Sequence, residues 1–371
     1  MKKILFNCTT NIKGGTVQNS ANFIISAMKE GLGYEYYFLV SRAVHNVVKG
    51  YIFQVENLFV FDVSPAKSIT TRIRIRHLAD KINPDLVFTM AGPAYINFNQ
   101  MHLMGCSNPY ILFATAKDIL FGRNILEFVI RYVHTRYQMF YIKKADHFLF
   151  QTEGSKASFM KKMDRGRGFV VPNSIGFNGE THNSKGTQYC KHKNDILQVL
   201  CPFENYPHKG AHIISKLSSH LNKQGIRAHF IVTINDTKDE SMDRNTMPGK
   251  IGISYIGPQK YFDMPDLYRR SDIVFMPSIL EVFSSVCTES LYFKKPLVVA
   301  NRSFNSDIVG MYASYCDPHS IESCSRAIMK AMSKIQNNVY LGEGKEYILN
   351  NYGKYHNRHK AIIEAISEIL K

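Results

Sequence analysis

Short apolar runs alternate with longer stretches of helical periodicity along this chain. That alternation is the βα pattern of parallel sheets, whose strands are buried on both faces and separated by crossover helices. In the first half it predicts strands at Lys3–Cys8, Tyr36–Val40, Asp85–Met90, Tyr110–Ala114, His147–Gln151 and Gly168–Val171. A second series follows at Ile196–Phe203, Ala228–Ile234, Ile253–Ile256, Asp272–Met276, Pro296–Ala300 and Ala313–Cys316. Between the two series, Gly176–Asp195 is polar and rich in Gly, Asn and Lys. It has no apolar periodicity and reads as a linker. The end of the chain, Tyr355–Lys371, has helical periodicity. The pattern therefore predicts a doubly wound α/β domain over 1–175, a second over 190–353, and a C-terminal helix over 354–371 that crosses back to the first domain. Two such domains facing across a cleft bring their ligand-binding strand ends together.

Length supports the division, because 371 residues exceed the size at which one core keeps growing. Charge adds an asymmetry. The net charge is +16, and residues 1–185 hold 23 Lys and Arg against 12 Asp and Glu. A basic first half implies an anionic neighbour. Nucleic acid is disfavoured, since no binding module and no dense basic run is present. Seven cysteines are scattered singly without a C-x-x-C pair, which argues against disulfides and for a reducing compartment. The opening MKKILFNCTT has only a short apolar run, so it predicts a first strand and no signal peptide. No segment reaches the roughly 18 uninterrupted apolar residues of a membrane span. These readings predict a cytoplasmic protein, at most peripheral to the inner face of the plasma membrane.

One helix complicates that picture. Gly122–Lys144 is amphipathic, interleaving Arg123, Arg131, Arg136, Lys143 and Lys144 with Phe128, Tyr132, Tyr137, Phe140 and Tyr141. Arg72, Arg74 and Arg76 form a second basic cluster. A solvated face fits this composition, and so does contact with an anionic membrane or a lipid-linked substrate.

Candidate chemistry concentrates in Pro277–Leu291 (PSILEVFSSVCTESL), where Glu281 and Glu289 stand eight apart between two buried strands. Glu281 falls in a loop and Glu289 two turns into a helix. An early carboxylate can face the reacting part of a ligand, and the later one can reach a diol farther away. Between them, a helix N-terminus offers N–H groups to an anion. A strand–loop–helix junction of this kind is a ligand site in an open α/β sheet. Lys209, after the first strand of the second series, is a point charge suited to a diphosphate. Gly14 and Gly15, after the first strand of the chain, allow close backbone approach to a phosphate or sugar. They do not form G-x-G-x-x-G. The triplet Val171–Asn173 reads as a Pro-Asn turn. H-E-x-x-H, D-x-D, G-x-S-x-G and the P-loop do not occur, so no metal or cofactor is expected.

Together these segments resemble the retaining GT-B glycosyltransferases of family 4. The E-x7-E signature matches Glu281 to Glu289, preceded by Pro277 and Ser278. The family's basic residue and glycine match Lys209 and Gly210, and its G-G loop matches Gly14 and Gly15. Ile253–Gly257 (ISYIG) resembles the run into the nucleotide site. Val171-Pro-Asn-Ser resembles the interdomain turn, and Asp307–Gly310 with Asp317-Pro318 resembles later landmarks. The resemblance implies a GT-B fold of two Rossmann-like domains facing across a cleft. It implies that Glu289 holds the ribose of a nucleotide and Glu281 faces the donor sugar. Lys209 then neutralises the leaving diphosphate, and the amides of Ser284, Ser285 and Val286 cap it. Gly14, Gly15 and Gly257 fall on the donor side, and Thr115 and Asn173 on the acceptor or sugar side.

Three positions depart from the family. Phe203 stands where an Arg is common, Thr115 where a His is common, and Ser284 where a Gly is common. The implied activity is metal-independent transfer of a hexose-type sugar from a nucleotide-diphosphate sugar to a glycan or lipid-linked acceptor, as in surface polysaccharide assembly. A nucleotide-sugar epimerase, a phosphorylase of the same fold and a non-catalytic partner subunit stay open as alternatives.

Overall fold

The computed structural model describes residues 1–30, 33–51, 57–163, 166–175, 196–235, 252–260, 263–353 and 355–371. The predicted linker Gly176–Asp195 lies outside the described residues. The chain divides into two units. The first comprises Met1–Thr115, Arg123–Asn173 and Tyr355–Lys371, and the second Ala116–Gly122 and Ser174–Lys354.

Among the described residues the first unit carries seven parallel strands: β1 (Lys2–Cys8), β2 (Tyr34–Ser41), β3 (Leu58–Phe61), β4 (Leu86–Thr89), β5 (His102–Gly105), β6 (His147–Phe150) and β7 (Gly168–Val170). Their order across the sheet is β3-β2-β1-β4-β5-β6-β7, so the order reverses between β1 and β4. Strand β1 is buried from Ile4 onward, as a central strand covered on both faces must be. Phe6 stacks on Phe23 with centroids 4.5 Å apart, and Phe38 and Phe88 complete the cluster. Ile362 and Ile366 of the last helix, Tyr355–Ile369, are buried in the same core.

The described residues of the second unit carry six: β8 (Leu197–Cys201), β9 (Ala228–Val232), β10 (Gly252–Tyr255), β11 (Ile273–Met276), β12 (Leu297–Ala300) and β13 (Ala313–Cys316). Their order is β10-β9-β8-β11-β12-β13, with the reversal between β8 and β11. Alternate residues feed the two faces. Val199, Phe230, Phe275 and Val298 enter one core, while Leu200, Val274, Met276 and Leu297 enter the other.

Three expectations need correction. Tyr110–Ala114 is not a strand: Pro109–Leu112 is a short helix. Asn108 caps it by accepting from the Tyr110 amide at 3.0 Å, and Pro109 at its start is pre-set for helical φ. An aromatic, apolar run masked that capping signal. Strands β3 and β5 add two that the apolar pattern does not mark, and each is defined by its pairing with a neighbouring strand. The amphipathic helix begins at Ile125, not Gly122. Asn124 and Glu127 close a capping box there, while Gly122 takes a left-handed φ of 67°. The segment before it, Ala116–Gly122, belongs to the second unit. Phe121 packs its ring 5.0 Å from that of His212 and 5.3 Å from that of His319.

Candidate active site

In a doubly wound sheet the loops leaving the two strands at the reversal point diverge and leave a crevice. In the second unit those loops follow β8 and β11, and they carry Lys209 and Glu281. Pro207–Lys209 forms a single 3-10 turn, closed by Gly210 in the left-handed region with φ 85°. A helix continues from Ile214 to Lys223.

Gly210 is required twice over. Its φ strains any side chain, and a Cβ would sit 2.8 Å from Pro277 Cγ and 2.9 Å from the Pro277 carbonyl oxygen. The Ile279 amide also donates to the His208 carbonyl at 2.8 Å. These contacts join two segments about 70 residues apart, so the position of Lys209 depends on the loop that bears Glu281. Gly210→Ala is expected to lower the melting temperature, at a cost of about 1–3 kcal/mol. A melt that matches the parent would show that the backbone here is not so constrained.

The loop after β11 is held by apolar neighbours. Ile279, Leu280 and Val282 are buried, and they fix Glu281 between them. The Lys209 ammonium donates directly to Glu281 Oε1, with both side chains mostly covered. Four residues C-terminal to Glu281, the helix Ser285–Tyr292 begins. Its N-cap, Ser284, makes no side-chain cap and instead donates to Met276 Sδ at 2.9 Å. The first-turn amides of a helix have no partner within it, so those at Ser285 and Val286 depend on an outside acceptor. Ser285 is exposed and Val286 half-buried. An anion lodged there meets a positive dipole end next to Lys209.

Glu289 lies one turn deeper and only 7% exposed. It is not free: the hydroxyl of fully buried Tyr268 donates to Glu289 Oε2 at 2.7 Å. Burial pushes the Glu289 carboxyl above its ordinary value, and hydrogen bonds from Tyr268 and Ser285 draw it back. Tyr268 is locked in turn by stacking on Phe293, at 5.2 Å and 9° between planes. Tyr268 was missed in the sequence because it lies 21 residues upstream, in the helix Met264–Arg270, without a motif of its own. Its place after Ile253–Gly257, in the run that leads to β11, was the available signal.

The structure brings together Lys209, Glu281, Ser284, Ser285, Val286 and Glu289. Gly257 stands apart, at the end of edge strand β10, where its φ of 74° and a neighbouring Asn235 side chain suit glycine. The other four residues lie on the first unit. Gly14 follows β1 at that unit's own reversal point with φ 66°, and Gly15 opens the helix Gly15–Glu30 with space around it. Asn173 Oδ1 accepts from Asn19 at 3.4 Å and from Gln151 at 3.3 Å. Thr115 is exposed and follows the helix Pro109–Leu112, not a strand end as the sequence suggested.

Phe203, at the position where the glycosyltransferases that the sequence resembles commonly have Arg, is buried in the core of the second unit. Its amide donates to Thr233 Oγ1 at 3.0 Å. Among the described residues of this loop, Lys209 is the cation beside the helix N-terminus. Among the described residues, no three His, Cys, Asp or Glu side chains gather to hold a metal ion.

Residues 194–346 match the family model described as Glycosyl transferases group 1. The match spans most of the second unit and contains every residue of the assembled cluster. No curated protein is similar enough in sequence to count as a match. Solved structures resemble the chain over its whole length. A glycosyltransferase from Rickettsia africae superposes with a TM-score of 0.69 at 15% identity, covering 100% of this chain and 99% of that one. HepE from Anabaena, in complex with UDP-glucose, gives 0.66 at 14% identity, over 99% and 100%. Sucrose-phosphate synthase from Thermosynechococcus elongatus gives 0.64 at 10% identity, over 100% and 99%. The fold is GT-B, and the family match with these neighbours supports a glycosyltransferase of GT-B type.

Proposed function

We propose that this chain is a retaining, metal-independent glycosyltransferase of family 4. It moves a sugar from a nucleotide-diphosphate donor to a glycan or lipid-linked acceptor in the assembly of a surface polysaccharide. One observation carries the reading: Lys209 and Glu281 meet at the reversal point of the second sheet, beside an uncapped helix N-terminus whose second turn buries Glu289. The arrangement offers three chemical functions. A diphosphate fits the helix N-terminus and Lys209, a ribose diol fits the carboxylate of Glu289, and the sugar beyond the diphosphate meets Glu281.

The Lys209–Glu281 contact gives the site a resting state. With no donor bound, each charge neutralises the other at low exposure. A diphosphate competes for the ammonium and releases the Glu281 carboxylate toward the sugar. Charge that develops on the leaving diphosphate then meets a fixed cation and fixed amides, which need little reorganisation.

A thermal-shift screen with UDP, GDP, ADP and their sugars tests donor recognition. One nucleotide is expected to stabilise the protein by about 2.7 kcal/mol at a hundredfold excess over its Kd. With that donor and an acceptor, NMR of the product should show the anomeric configuration of the donor retained. Inversion would overturn the retaining mechanism, and an epimerised donor formed without acceptor would assign the site to an epimerase.

A further inference from the structure

The helix Ile125–Ile142 turns its apolar face away from the protein. Its inner side is anchored by buried Ile142, by Arg131 over the Tyr110 ring at 4.7 Å, and by Gln138, which bonds Asn108 at 2.9 Å and Tyr95 at 3.2 Å. The opposite side, at spacings of three and four, presents Leu126, Val129, Ile130, Val133, Tyr137 and Phe140. Leu126 is 68% exposed, Ile130 60%, Val133 59% and Phe140 56%. A solvated helix carries polar residues on that side.

The helix Ile69–Ile82 extends the same surface. Arg72 ties the two helices together, donating to the Tyr137 hydroxyl at 2.9 Å and to the Tyr141 hydroxyl at 3.0 Å. On the face of Arg72, Ile69 is 70% and Ile73 63% exposed. Both helices belong to the first unit.

Charge selects the partner. Arg136, Lys143 and Lys144 flank the apolar stripe, and Lys144 lies over the Phe140 ring at 4.8 Å. Arg76, one turn along from Arg72, adds a cation on the neighbouring helix, whereas Arg74 lies over the Phe61 ring at 5.9 Å. Residues 125–144 contain one acid, Glu127, and it is engaged in the capping box with Asn124. A second copy of this chain would set like charges against each other. Among the described residues, no helix is long and apolar enough to cross a membrane.

We propose that this two-helix face docks the protein on an anionic lipid bilayer, with Ile125–Ile142 lying in the plane of the interface. The apolar side chains enter the boundary of headgroups and acyl chains, and the Arg and Lys residues meet acidic headgroups. The inference stands apart from the transferase reading, because lipid binding is read without donor or acceptor.

Flotation of the full-length protein with vesicles tests it. Binding is expected to phosphatidylcholine vesicles containing phosphatidylglycerol, and to weaken with added salt. It is expected to be at least tenfold weaker, on the order of one decade or more, with phosphatidylcholine alone. Ile130→Glu with Val133→Glu should abolish flotation and leave the melting temperature unchanged, since both side chains are exposed. Lys143→Glu with Lys144→Glu should weaken it by about fivefold per residue or more. Equal binding to neutral and acidic vesicles would overturn the proposal, as would unimpaired flotation of I130E/V133E. A dimer in sedimentation velocity that I130E/V133E converts to monomer would assign the face to a second copy instead.

Discussion

Glu289→Ala is expected to weaken nucleoside diphosphate binding by about 100-fold or more. A carboxylate that accepts from both hydroxyls of a ribose makes two charge-assisted hydrogen bonds, each of about 1.5–3 kcal/mol. Their loss is of order 3 kcal/mol or more, which is at least two decades in Kd. Isothermal calorimetry with the nucleotide found in the screen reads the effect directly. Tyr268 complicates the variant, because its hydroxyl donates to Glu289 and would be left buried without an acceptor. Glu289→Gln separates the two roles. It keeps the side-chain shape and an oxygen for Tyr268, so the fold should hold, while binding should still weaken by about tenfold through lost charge. Unchanged affinity in Glu289→Ala would remove the residue from the site.

Lys209→Ala is expected to lower kcat by about 10²–10³-fold while changing donor Kd far less. On the proposed reading the ammonium acts on charge that develops in the transition state, and a preorganised donor of that kind is worth about 3–4 kcal/mol in a covered site. On the same reading the ground-state diphosphate keeps the helix amides, so a smaller effect on binding is expected. Phe203 makes this prediction sharper. With an aromatic ring in the core where the glycosyltransferases that the sequence resembles commonly have Arg, Lys209 is the lysine that this loop brings to Glu281. The measurement is single-turnover transfer beside equilibrium binding. A kcat within a few-fold of the parent would show that the leaving group is stabilised elsewhere.

Much of the fold was legible in the pattern. Most predicted strands fall on observed ones, with ends shifted by a residue or two, and Ala313–Cys316 coincides. Buried strands of parallel sheets are continuous apolar runs, and such runs stand out against helical periodicity. The failures share a cause. Leu58–Phe61 and His102–Gly105 are strands because neighbouring strands pair with them, at registers set by the sheet. Pro109–Leu112 is a helix because a cap and a proline outweigh aromatic strand propensity.

The site divides in the same way. The spacing of Glu281 and Glu289, the glycines and Lys209 could be read from the chain. The contact of Lys209 with Glu281 could not, because it joins residues 72 apart in sequence.

Taken alone, the amino-acid order determined the α/β class, the repeated strand–helix alternation and the short segment in which polar residues interrupt buried strands. Those properties are local, since apolar period, caps and turns act over a few residues. Tertiary structure decided the rest. It placed the loops after β8 and β11 side by side, gave Glu289 a tyrosine partner and set Phe203 in the core. It also turned the apolar side of Ile125–Ile142 outward. Each of these depends on which distant segments meet, and strand order and packing decide that.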